Sequence, residues 1–217
     1  MDYYEFVRGP LAYAAFFVFI AGSATRLLSF YLKGSNSKML YPRENLSNGF
    51  KAILVGIVPF ATRFMKKRPL LTLITFLFHI CVIILPLFFL AHIVLWFESF
   101  EFLWVSIPDG LADVMTVFVL LGCIFFFVRR FVVKEVKMVT ETSDYLLLIS
   151  IFIVFLTGFM AFHQFGPYRP ILILHIFSSE VLLIIIPFSR MIHMILYPFS
   201  RYYMGADFGS VIEPSDW

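Results

Sequence analysis

The sequence predicts an all-α integral membrane protein of five transmembrane helices. The N-terminus lies outside and the C-terminus in the cytoplasm, with an interfacial helix near residues 50–65. Three observations carry this. Hydrophobic residues make up 61% of the chain and charged residues 14%. A soluble domain carries roughly a quarter charged residues, so the apolar surface here must face lipid. Five stretches are long and apolar enough to cross a bilayer: 11–32, 70–97, 111–128, 145–164 and 171–199. The basic residues, finally, alternate between the loops as a membrane topology requires.

The leader of the first segment, "MDYYEFVRGP", carries Asp2 and Glu5 where a signal peptide has a basic region, so the segment reads as a retained helix. Residues 33–68 follow as a cytoplasmic insert with eight Lys and Arg. Inside it, "FKAILVGIVPFATRFM" (50–65) has an apolar run broken by Pro59 and too short to span, which predicts a helix lying in the interface. The second and fifth segments are unusually long, and each contains a proline (Pro86, Pro187), which predicts a tilt or kink. Residues 129–137 add four basic residues to the cytoplasmic side. The opposite side has only Arg8 and Arg169, and its loop "FESFEFLWVSIPDG" (97–110) has three acids and no base. All of this falls in a single membrane domain, 1–217, whose first partner is membrane lipid.

Cys81 and Cys123 lie inside apolar segments without CxxC or Cys/His spacing, so disulfide, zinc and iron–sulfur readings have no support in the sequence. No phosphate-binding or dinucleotide motif is present, and nothing points to nucleic acid. Ionisable residues inside the segments are the features that call for a function.

Four of the five histidines fall at two matched depths. His79 and His92 are 13 residues apart on the second segment, roughly 20 Å along a helix; His175 and His193 are 18 apart on the fifth, roughly 27 Å. Antiparallel neighbours would bring His92 opposite His175 and His79 opposite His193. That is the arrangement for two stacked bis-histidine haems b, with His92 and His175 on the outer iron and His79 and His193 on the inner one. Eighteen residues is five whole turns, so His175 and His193 share one face of a continuous helix. Thirteen is about 220°, so the other pair does not, unless Pro86 shifts the phase. Arg190, one turn before His193, is placed to pair with an inner haem propionate. The alternative class is a non-haem membrane anchor or small transporter, with the histidines lining a polar path.

Five helices with the N-terminus out and two histidines on each of the second and fifth resemble the gamma subunit of respiratory nitrate reductase. The stretch "SDYLLLISIFIVFLTGFMAFHQFGPYRPILILHIFSSEVLLIIIPFSRMIHM" (143–194) resembles more closely the cytochrome b subunits of transmembrane redox complexes in sulfate-reducing bacteria, the Tmc, Hmc and Dsr type. The resemblance spans about residues 5–200. It implies a dihaem cytochrome b in a prokaryotic cytoplasmic (inner) membrane, exchanging electrons between menaquinol and partner redox subunits. A periplasmic multihaem cytochrome is a partner that only the resemblance suggests. Wider spacing on the second helix, the missing basic residue in 97–110 and the extra insert argue against a nitrate reductase partner.

The basic cytoplasmic face predicts a docked iron–sulfur subunit. A quinol site needs a proton acceptor close to water, and the outer end offers His163, Gln164, Tyr168, Glu98 and Glu180 at about the depth of His92 and His175. His163 is the first choice as acceptor, because an imidazole takes up a proton near neutral pH.

Overall fold

A computed structural model describes residues 2–36 and 46–208. Part of the basic insert, 37–45, lies outside the described residues. Among those described, every regular element is helical. Five helices are long and apolar enough to cross a membrane: Tyr3–Lys33, Pro69–Phe88, Asp109–Val132, Thr142–Phe162 and Tyr168–Phe188. No more than 22% of any of these spans is buried within the protein, so their side chains largely face outward, as a lipid solvent requires. The protein is a multi-pass, all-α membrane protein.

The elements are α1 (Tyr3–Phe6), α2 (Ala12–Asn36), α3 (Leu46–Ile57), α4 (Arg63–Lys67), α5 (Pro69–Phe88), α6 (Leu90–Phe100), α7 (Asp109–Val132), α8 (Lys134–Met138), α9 (Thr142–Phe162), α10 (Tyr168–Ile185) and α11 (His193–Phe208). A π-helical turn over Val7–Leu11 joins α1 to α2 around Pro10, so the first span begins well before residue 11. The chain forms two compact units, one of residues 1–13 and 75–182, the other of 14–74 and 183–217.

The first unit is built around α7 against α9. Gly122 admits the ring of Phe78, and Val119 and Cys123 are fully buried beside it. Phe127 and Phe131 close on Tyr145 at ring distances of 5.4 and 5.0 Å. In the second unit α3 lies along α11. Gly49, Ala52 and Gly56 repeat at helical spacing and receive Tyr202, Gly205 and Tyr197. The predicted interfacial helix is thus two pieces, α3 and α4, separated by a turn in which Phe60 has φ 64°. The Thr62 hydroxyl caps α4 by accepting from the Met65 N–H.

Both long segments, expected to run through 70–97 and 171–199 with a tilt or kink at Pro86 and Pro187, break outright. The second breaks at Phe89, whose backbone is extended (φ −75°, ψ 130°), three residues beyond Pro86. The fifth does not run to 199. It passes into a 3-10 turn at Ile186–Phe188, becomes extended at Ser189 (φ −120°, ψ 179°), turns again over Arg190–Ile192, and restarts as α11. Pro187 brings no N–H to continue the ladder. The Ser189 hydroxyl accepts from the Met191 N–H, and the Arg26 guanidinium donates to the Pro187 carbonyl at 3.0 Å. With that break in place, the five-whole-turns relation between His175 and His193 does not hold.

Candidate functional site

His92 sits in the first turn of α6, immediately after the break, and His175 two turns into α10. Their rings lie 6.1 Å apart, centre to centre, with planes within 7° of parallel. Each ring is tethered through the same nitrogen. His92 Nδ1 donates to the Pro86 carbonyl at 3.1 Å, and His175 Nδ1 donates to the Val154 carbonyl at 3.0 Å. A carbonyl can only accept, so both rings carry their proton on Nδ1 and hold a lone pair on Nε2. Among the described residues neither Nε2 makes a hydrogen bond.

This is the pattern of metal-ligating histidines, whose second nitrogen is fixed by a carbonyl or carboxylate. Two imidazoles on one metal ion, each bonded at about 2 Å, hold their ring centres about 6 Å apart. No cluster of three or more His, Cys, Asp or Glu among the described residues is placed to hold a bare ion. A haem iron needs only two protein ligands, because the macrocycle supplies the others. Gly158 on α9 fits the same reading: a Cβ there would come within 2.9 Å of His175 Cε1, so only glycine lets the ring lie where it does. The residues present fit a bis-histidine haem.

His79 and His193 repeat the tether. His79 Nδ1 donates to the Thr75 carbonyl and His193 Nδ1 to the Arg190 carbonyl, both at 2.7 Å. His79 belongs to the first unit and His193 to the second. Their pairing rests on depth in the sequence alone. Arg190 occupies the 3-10 turn before His193, and its backbone carbonyl is what orients that ring.

His163 is not simply a solvated loop residue. It is the last half-helical residue of α9, and its place is set by local chemistry. The Phe165 N–H returns to the Met160 carbonyl and the Gln164 N–H to the Ala161 carbonyl, with Gln164 at φ 55°. These bonds are the Schellman closure of a helix. His163 Nε2 then meets Asp113 Oδ1 of α7 at 2.9 Å, with both side chains about one-third exposed. Phe159 and Phe165 flank the imidazole at 4.4 and 5.5 Å. A line of ring contacts joins it to the tethered pair: His163 to Phe162 at 5.2 Å, Phe162 to Phe89 at 5.1 Å, and Phe89 to His92 at 5.6 Å. Sequence reasoning passed over Asp113, because an acid near a helix start usually serves only the helix dipole.

Glu98 is ion-paired with Arg8, and Asp2 with Arg169. Tyr168 opens α10. Glu180 is buried, at 6% exposure, and neither carboxylate oxygen has a hydrogen-bond partner among the described residues.

No described protein family's profile matches the chain. A protein of Nitratidesulfovibrio vulgaris (strain Hildenborough) is 32% identical over 211 residues, covering 94% of this chain and 93% of its own length. The two chains belong to one family. The relative's name is simply "Protein", so the family relation carries the fold across nearly the full length and no chemistry with it.

Proposed function

We propose that this chain is a dihaem b-type cytochrome, the membrane subunit of a quinone-linked respiratory complex in a prokaryotic inner membrane. The observation that carries the reading is the His92–His175 pair, two near-parallel imidazoles 6.1 Å apart with both Nδ1 atoms tethered to backbone carbonyls. His92 and His175 would hold the outer haem; an inner haem on His79 and His193, with Arg190 toward its propionate, rests on their depths in the sequence. When bound, haem supplies a one-electron carrier, and the protein's part is to hold and tune it. The carbonyl tethers fix each ring's tautomer and raise its basicity as a ligand.

Menaquinol is the proposed substrate at the outer end. A quinol gives up protons with its electrons, and His163 is the residue equipped to take one. Asp113 accepts from Nε2–H, which leaves the Nδ1 lone pair to receive the proton of a quinol hydroxyl. Glu98, ion-paired with Arg8, is a further polar group proposed for quinol handling at that end. Glu180 is the buried group available to a proton path from the site. An iron–sulfur subunit on the basic cytoplasmic face and a periplasmic multihaem cytochrome complete the proposed complex.

The test is a reduced-minus-oxidised spectrum with pyridine haemochrome quantitation on the assembled protein. Two haems b per chain are expected, falling to one in His175→Ala. A wild-type protein without haem would falsify the reading.

A further inference from the structure

The break at Phe89 frees three backbone carbonyls, those of Pro86, Leu87 and Phe88, whose N–H partners one turn on have moved away. A break left unsatisfied inside an apolar span would be costly. Each carbonyl instead has a donor. His92 Nδ1 serves Pro86 at 3.1 Å, the Trp104 indole N–H serves Leu87 at 2.7 Å, and the Ile107 backbone N–H serves Phe88 at 2.9 Å. Two of these donors come from the short connection 101–108, and the third is the ring of His92 itself. Three successive carbonyls are therefore shared between that connection and the ring. Moving the Leu87 peptide turns the Pro86 carbonyl, and the imidazole must follow.

We propose that Trp104 is a positioning residue: its indole latches the broken helix and thereby sets the orientation of the His92 imidazole. The proposal rests on the assignment of His92 as an iron ligand. Neither Pro86 nor the break alone would hold the ring at one angle, because an extended residue such as Phe89 leaves α6 free to rotate about the α5 axis. The indole bond, 17 residues away in sequence, removes that freedom together with the Ile107 N–H on the Phe88 carbonyl.

Trp104→Phe keeps the ring but deletes the donor, and Trp104→His restores a ring N–H. With haem content unchanged, Trp104→Phe is expected to shift the low-spin EPR signal and the midpoint potential of one haem only, and Trp104→His to move both back toward wild type. An unaltered signal and potential in Trp104→Phe would overturn the latch. If Trp104→Phe does not assemble, the wild type decides: its redox-difference infrared spectrum with indole-15N tryptophan is expected to contain an isotope-shifted indole band. A spectrum without one overturns the proposal. Failure of the underlying haem assignment is seen separately, as a wild-type protein that carries no haem.

Discussion

Single side chains here act through what they are tied to. His163 has the intrinsic chemistry of a proton acceptor, yet the direction it faces is decided by Asp113, which claims Nε2. An asparagine at 113 presents either an amide N–H or a carbonyl to that nitrogen, so the ring is no longer held to one tautomer. Asp113→Asn is therefore expected to lower menaquinol-analogue oxidation by roughly 10²-fold, the usual worth of a positioned acid–base group, with haem spectra intact. Wild-type turnover in both this variant and His163→Ala would remove the pair from the quinol site. The same logic runs through the four haem-ligand candidates, each tethered by Nδ1 to a carbonyl of its own or a neighbouring helix.

Helices in this protein approach through small residues. Between α3 and α11, a Cβ on Gly205 would stand 2.4 Å from Ala52 Cβ and 2.6 Å from the Asn48 carbonyl oxygen. Neither neighbour is a flexible side-chain end, so the helices must separate. Gly205→Ala is expected to cost about 1–3 kcal/mol, the usual penalty of overpacking. Gly110, with nothing within 4 Å, is the control: its alanine variant should leave the melting temperature in detergent close to wild type. Equal melting curves for the two variants would show that α3 and α11 do not pack through this contact. The breaks at Phe89 and Ser189 belong to the same scale. Each holds because donors from elsewhere meet the freed backbone groups: Trp104 and Ile107 at the first, Arg26 at the second.

For the molecule as a whole, the charge asymmetry is the feature on which the proposed complex rests. Arg129 and Arg130 lie in the last turn of α7, Lys134 and Lys137 lie in α8, and Arg63, Lys66, Lys67 and Arg68 cluster at α4. Solubilised gently from native membranes, the chain is expected to co-purify with an iron–sulfur protein whose release depends on salt, as exposed charge contacts do. Recovery of the chain alone, haem-loaded and monodisperse, would defeat the idea of an obligate complex.

What the sequence determined by itself is the part governed by the solvent. A lipid environment demands apolar runs of a fixed length, so the five spans were legible to within a few residues in α7 and α9 and to the broad region elsewhere. The four tethered histidines were legible too, because an ionisable side chain in such a run stands out by its cost. The continuity of the second and fifth segments was not. Pro86 and Pro187 mark places where a helix is weakened, but a break appears only where distant donors satisfy the freed carbonyls. Those donors, Trp104, Ile107 and Arg26, are remote in sequence and follow no period. The Asp113–His163 pair, 50 residues apart, was hidden for the same reason. Side-chain identity and run length are properties of the chain; which carbonyl a ring nitrogen reaches, and hence which nitrogen is left for a metal or a proton, is decided only when the helices pack.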